Sequence, residues 1–439
     1  MKFEHALAMF RQGTMTPREY LEEFIAAVQE KEGRIKAFAC LDIEQARLHA
    51  DASTDRYRRQ APLSGIDGMP IGIKDIIDTA SLPTCMGSDI YRDWRPRADA
   101  EAVDALRSGG AVILGKTRTT EFAIGRATIT TNPHDAERTP GGSSSGTAAG
   151  VASGMICAGL GTQTQGSIIR PASYCGVVGY KPTWGVLPLH GVHPVSHSHD
   201  HLGVIAQSLD VAWALAHCIM KYRPTKENAP LIPLPSLGAE GHPLPRIAVL
   251  KTAGYKELSE GELGAFDERM NRWRQSGVQV SGVDEHAELA AFCGELDGVP
   301  SLSTEMVASD MRWPYSQYCK NFPAETGEKI HGLVKQGLDI SAERYLSLIE
   351  HREKLLARLE ALSTRYDAFV LPAASGIAPL GLENTGSRTL SVYGSFLGIP
   401  AVSLPLITVG HMPLGVQLLG RRSKDHELMC HAKRLAELN

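Results

Sequence analysis

Apolar residues recur along this chain at two spacings, one near 3.6 residues and one of two, and the spacings trade places along its length. Leu21, Phe24, Ile25 and Val28 fall on one helical face behind Thr16–Pro17–Arg18–Glu19, a capping box with proline at the first helical position, so a helix is predicted to open there. A helix around 100–107 precedes Ala111–Leu114, a short apolar run that reads as a buried strand. Ile71 and Ile73 alternate with Gly72 and Lys74, as in a strand emerging from a core. The stretch 147–158 is small, apolar and helix-compatible. Proline-dense 230–245 is a surface connection, after which Ile247–Leu250 starts another strand. Helical patterns dominate 260–365, Ala342–Leu362 among them, and Phe369–Pro372 is a further strand. Strands alternating with helices predict an α/β layer fold, without internal repeats.

Composition narrows the class. A chain of 439 residues could hold two or three ordinary domains, but large α/β enzymes fill this length as one unit. Its 43% hydrophobic and 21% charged residues are ordinary for a globular protein. A net charge of −4 gives no reason to expect nucleic acid or an acidic membrane surface as a partner. The first eleven residues hold only a short apolar run after a charged start, so no signal peptide is expected, and no apolar run is long enough for a membrane span. Eight scattered cysteines without a Cys-x-x-Cys read as free thiols, which fits a cytoplasmic protein. Cys157 and Cys175 flank the site described next, but nothing activating adjoins either, and both are read as core fillers.

The chemistry concentrates in Gly141–Gly142–Ser143–Ser144–Ser145–Gly146, in Gly161–Thr162–Gln163–Thr164–Gln165–Gly166–Ser167–Ile168–Ile169–Arg170–Pro171, and in Lys74 of Pro70–Ile71–Gly72–Ile73–Lys74–Asp75. A serine is a poor nucleophile until a base takes its proton. Flanking glycines allow a sharp turn that brings backbone N–H groups to a developing oxyanion. A flexible linker is the plainest alternative, but the neighbouring residues are not linker-like. A phosphate-binding loop fails because no lysine precedes Thr147. Gly142-x-Ser144-x-Gly146 formally fits a nucleophile elbow, yet 132–140 reads as loop where the elbow requires a strand.

With these residues in view, the chain resembles the amidase signature family, closest in motif to its malonamidase-like branch. The resemblance also rests on Pro62–Pro70, Gly115–Thr117 with Glu121 and Phe122, Arg138–Pro140, Cys175–Thr183, Gly398–Ser403 and Pro413–Gly420. It implies one large α/β/α layered domain over 1–439, with a twisted mixed central sheet. Core motifs would occupy about 62–210 and 365–420, and a variable segment, about 220–365, would shape the pocket. It further implies Ser167 as nucleophile, Ser143 as a bridging serine after a cis peptide bond, and Lys74 as general base. The backbone N–H groups of Thr164, Gln165, Gly166 and Ser167 would form the oxyanion hole. Burial would supply the neutral amine that a base requires, since a free lysine is protonated near neutrality. The alternative for Lys74 is a surface lysine paired with Asp75 or Asp78.

The departures from the family pattern bear on substrate. Gln163 stands where an acid is usual, Ile169 where an arginine is usual, and the arginine has moved to Arg170. Acid and base are lost together, as for a missing internal ion pair. In the malonamidase-like branch the equivalent of Arg170 holds a substrate carboxylate, a task its planar fork suits. It could equally pair with an acid of the protein or cap a helix. Gln165 stands where glycine is usual, and Arg170, Gln165 and Ser144 are the expected substrate contacts. His190, His193, His197, His199 and His201 cluster, but at no metal-site spacing, and a solvated or pocket-rim loop without metal is expected. Trp313, Tyr315 and Tyr318 are candidate contacts for which core packing is the plainer role.

The resulting expectation is a cofactor-free, metal-free amidase that cleaves a small linear amide, one carrying a carboxylate, through an acyl-enzyme on Ser167. Two other activities stay open: the ammonia-generating subunit of a tRNA-dependent amidotransferase, and a hydrolase of urea- or biuret-type amides. A protein-interaction role with a dead site is the third, against which the intact Lys74, Ser143 and Ser167 stand. Oligomeric state is left open, with a homodimer as one option.

Overall fold

In a computed structural model, which describes residues 1–234, 236–238 and 243–438, the described residues form one eleven-stranded sheet. Its strands are β1 (Phe38–Leu41), β2 (Pro70–Lys74), β3 (Val112–Thr117), β4 (Ala158–Gln163), β5 (Val178–Lys181), β6 (His201–Ala206), β7 (Arg246–Val249), β8 (Gln279–Ser281), β9 (Ala368–Pro372), β10 (Ala401–Val409) and β11 (Met412–Leu419). They run in the order β1-β3-β2-β4-β6-β5-β10-β11-β9-β7-β8. β2 pairs in parallel with β3 and β4, and β7 with β8 and β9, while the other pairs are antiparallel, so the sheet is mixed. The proline-dense 230–245 falls partly outside the described residues.

Both faces of the sheet are covered. Val112 and Leu114 of β3 pack with Leu21, Ile25 and Val28 of the helix Pro17–Ile35, while Ile113 between them joins the larger core with Ile71 and Ile73. A strand buried on both sides must be apolar at successive positions, which is why β3 reads as a continuous run. The helix Pro17–Ile35 opens on the capping box: the Thr16 hydroxyl accepts from the Glu19 N–H at 3.1 Å, and Glu19 accepts from the Thr16 N–H at 2.8 Å. β8 interrupts the helical stretch 260–365, and the variable segment thereby contributes two strands, β7 and β8, to the common sheet.

Only part of the small-residue stretch 147–158 is helical. The helix is Ser145–Ala152, and the chain then turns through Gly154, at φ 72°, into β4. The small side chains let this helix lie close on the sheet. A Cβ at Gly146 would meet the Ala37 carbonyl at 2.1 Å and the Arg118 nitrogen at 2.4 Å. Because strand side chains alternate, Ile71 and Ile73 face the larger core and Lys74 emerges on the opposite side, under that helix.

Candidate active site

Lys74 is fully buried at the C-terminal end of β2. Its Nζ donates to Ser143 Oγ at 2.7 Å, to Thr162 Oγ1 at 2.7 Å and to the Thr162 carbonyl at 3.3 Å. Burial drives its pKa well below the usual lysine value, with the carboxylate of Asp200 pulling weakly the other way. Neither neighbouring acid pairs with it: Asp75 pairs with Lys116 at 3.4 Å, and Asp78 accepts no salt bridge among the described residues. The surface-lysine alternative is therefore excluded.

Ser143 follows a cis peptide bond with Gly142. Together with Ser167 and the turn Thr164–Gln165–Gly166 it lines a narrow cavity of about 40 Å³. Thr385, Gly125 and Lys329 belong both to this cavity and to a wider outer cleft of about 540 Å³. Among the described residues nothing takes the backbone N–H of Gln165, Gly166 or Ser167. Buried N–H groups are ordinarily paired, so three free ones beside a cavity are a ready anion receptor. Thr164 anchors the turn from its other side, its hydroxyl donating to Asp200 Oδ1 at 2.7 Å. Asp200 also accepts the N–H groups of Val195 and Ser196, and burial raises its pKa to about 6.

Gln163 explains the missing acid of the sequence pattern. Its Oε1 accepts the N–H groups of Ile168 at 2.8 Å and Ile169 at 3.0 Å, and its Nε2 donates to Ser395 Oγ at 3.0 Å. A neutral amide thus satisfies the donors at the start of the helix Ile169–Cys175 without needing a cationic partner.

Arg170, also buried, has no acidic partner among the described residues. Its Nη2 donates to the Gly142 carbonyl at 2.6 Å and to Thr385 Oγ1 at 3.0 Å, while Nε is buried without a partner. Nη1 makes no bond to a described residue. Burial, and secondarily Arg388, lowers its pKa to about 10. Arg388 is likewise lowered by burial, and Lys329, at the exposed rim, is pushed to about 8 by desolvation and then by Arg388 and Arg170. None of the three has an ion pair among the described residues, so three cations face one cavity uncompensated.

Three expectations need correction, those for Ser144, the histidine loop and Trp313. Ser144 is turned away from the cavity: it is fully buried, its hydroxyl donates to the Thr162 carbonyl at 3.3 Å, and it does not line the wall. The histidine loop is not uniformly solvated. His190 and His197 are exposed, but His199 and His201 are buried and held neutral by desolvation, and no metal-holding group occurs among the described residues. Tyr315 is buried, donating to the Pro194 carbonyl at 3.0 Å; Tyr318 bonds Tyr91 and His193; Trp313 is exposed, and none of the three lines the cavity. Cys157 and Cys175 are buried with their thiols pushed up, as core fillers. Sequence reasoning missed Thr162, Asp200, Lys329, Thr385 and Arg388. Thr162 and Asp200 lay inside motifs already singled out; the other three fall outside them, where no local pattern marks a pocket.

The layered fold is that of a large α/β enzyme, and the comparisons with known proteins make it an amide-hydrolysing one. The chain belongs to the Amidase family, whose model matches residues 19–429. It is 40% identical over 456 residues to the GatA-type component of glutamyl-tRNA(Gln) amidotransferase from Chloroflexus aggregans (strain MD-66 / DSM 9485), covering 95% of this chain and 92% of that one. It is 32% identical over 442 residues to AtzE, a component of 1-carboxybiuret hydrolase from Pseudomonas sp. (strain ADP), covering 95% and 94%. Among solved structures, a crystal structure of an amidase superposes with a TM-score of 0.86 at 28% identity, covering 100% of this chain and 99% of that one. No membrane-spanning helix occurs among the described residues.

Proposed function

We propose that the chain, acting over 1–439 as one catalytic unit, hydrolyses a small linear amide carrying a carboxylate and releases ammonia. The observation that carries this is the Lys74–Ser143 hydrogen bond at the edge of a cavity that Ser167 lines beside three unpaired cations. Neutral Lys74 accepts a proton relayed through Ser143 as Ser167 Oγ attacks the amide carbon. The oxyanion forms against the N–H groups of Gln165, Gly166 and Ser167. Lys74 returns the proton to the departing nitrogen, leaving an acyl-enzyme; neutral Lys74 then takes a proton from the attacking water through the same relay and returns it to Ser167 Oγ as the acid product leaves. Arg170 contributes twice: Nη2 fixes the Gly142 carbonyl beside Ser143, and Nη1, with Arg388 and Lys329, attracts the substrate carboxylate. With Nη2 engaged and Nε buried, Arg170 offers Nη1 alone rather than a two-pronged fork.

A second reading is favoured by the relatives, since several are named as components of an amidotransferase and another as a component of a hydrolase. The purified chain, assayed alone for ammonia from glutamine, neutral amides and carboxylated amides, separates the two. Turnover of carboxylated amides by wild type and none by Ser167→Ala supports the proposal. Silence alone, with glutamine turnover restored by partner proteins, assigns the amidotransferase role.

A further inference from the structure

Resting on the reading above, we infer that Ser303, His199, Ser198 and Asp310 orient the Gln165 amide so that its carbonyl oxygen faces the substrate, selecting amides with a second N–H. The substrate class is therefore ureido or acylurea carboxylates rather than simple aliphatic ones.

The orientation follows from counting protons along a chain of hydrogen bonds that is part-buried at Ser198 and buried at His199, Ser303 and Gln165. Asp310 Oδ2 accepts Ser196 Oγ at 2.5 Å, Ser198 Oγ at 2.6 Å and the Ser198 N–H at 3.2 Å. A carboxylate cannot donate, so the single hydroxyl proton of Ser198 is committed to it. Ser198 Oγ must then accept from His199 Nδ1, 2.8 Å away. A neutral imidazole carries one N–H, which leaves Nε2 as an acceptor. Burial keeps His199 neutral, lowering its pKa to about 3. The Ser303 hydroxyl donates to Nε2 at 3.1 Å, and its lone pair accepts Gln165 Nε2 at 3.0 Å. The carboxylate at one end thus sets which end of the Gln165 amide is held at the other. Its NH₂ is anchored, and Oε1, which takes no bond from a described residue, is left as an acceptor on a side chain that lines the cavity.

The helix Val299–Asp310 makes this possible. Ser303 and Asp310 are seven residues apart, two turns along one face, and His199 bridges between them. Both lie in the least family-like segment, and Gln165 stands where the family pattern has glycine. An acceptor beside the nucleophile turn is paired only if the substrate brings a donor, and an unpaired buried acceptor disfavours substrates that lack one.

The test compares succinamate with N-carbamoylglycine, which differ by one CH₂ replaced by N–H and share the carboxylate and terminal amide. Intrinsic reactivity cancels when each variant's ratio of kcat/KM for the two is divided by that of wild type. Ser303→Ala and His199→Phe should lower kcat/KM for N-carbamoylglycine roughly tenfold more than for succinamate, and Ser303→Thr, which keeps the hydroxyl, should restore the ratio. Equal losses for both compounds, or an unchanged ratio, would overturn the inference by making the network merely structural. Calorimetric binding to Ser167→Ala, with and without Ser303→Ala, reads the same preference without turnover. If neither compound binds there, the carboxylated-amide reading fails and the selectivity inference falls with it; if both bind with no preference, only the inference falls.

Discussion

Gly166 is the residue at which a single methyl group tests the whole nucleophile turn. A Cβ there would sit 2.1 Å from Ser391 Oγ, 3.1 Å from Ser391 Cβ and 3.4 Å from Arg170 Nη1. Ordinary carbon contacts begin near 3.5 Å, so the first overlap is about 1.4 Å (3.5 − 2.1) and the second about 0.4 Å. Ser391 is itself fully buried, so it has little room to retreat. Overpacking of this kind costs roughly 1–3 kcal/mol of stability. Displacing the turn by about 1 Å would move the proposed oxyanion donors, the N–H groups of Gln165, Gly166 and Ser167, out of place and should cost on the order of a hundredfold in rate. Gly166→Ala should therefore lose about two orders of magnitude in kcat, with KM changed far less, because those donors act in the transition state. Ser391→Ala removes the 2.1 Å clash and leaves the 3.1 Å contact with the Ser391 Cβ and the ordinary 3.4 Å contact with Arg170 Nη1, so Gly166→Ala/Ser391→Ala should recover most of the lost rate. Ammonia release and calorimetric unfolding of wild type, both single variants and the double variant complete the cycle. Full activity in Gly166→Ala would refute the reasoning, and so would a double variant no faster than Gly166→Ala alone.

Ser167→Ala and Ser143→Ala should fold normally and lose turnover, checked by ammonia release and by the absence of a fluorophosphonate adduct on Ser167→Ala in intact-mass spectra. Activity should fall as pH drops through the lowered pKa of Lys74, because only the neutral amine accepts a proton. Asp200 as an anion raises that pKa, so Asp200→Asn should move the acid limb of kcat/KM to lower pH; an unmoved limb would assign it to another group. Arg388→Ala should raise KM for a carboxylated amide roughly tenfold while leaving a neutral amide nearly unaffected, a split readable from steady-state kinetics in low salt. Gln163→Leu leaves the Ile168 and Ile169 N–H groups unpaired and should cost about 1–3 kcal/mol per orphaned group, measured by denaturant unfolding.

What the sequence determined by itself was whatever depends on neighbours in the chain. The capping box at Thr16, the two-sided burial of β3 and the alternation that ends β2 on Lys74 are local patterns, and the turn chemistry around Ser143 and Ser167 is local too. The resemblance, carried by those motifs, extended them to the layered fold. Tertiary structure alone decided the rest. Ser143, Ser144 and Ser145 are three hydroxyls in a row, and only packing shows that Ser143 meets Lys74 while Ser144 turns onto the Thr162 carbonyl. Arg170 read equally well as a substrate ligand or a structural cation, and only the fold shows it bonded to the Gly142 carbonyl with Nη1 left over for the carboxylate role proposed above. Lys329 and Arg388 are far from the serine motifs in sequence, as are Ser303 and Asp310, and no periodicity ties them to residues 164–167. Electrostatics and hydrogen-bond direction act through space, across cavities that close only when distant segments pack, and so the charge of the pocket and the orientation of Gln165 belong to the fold.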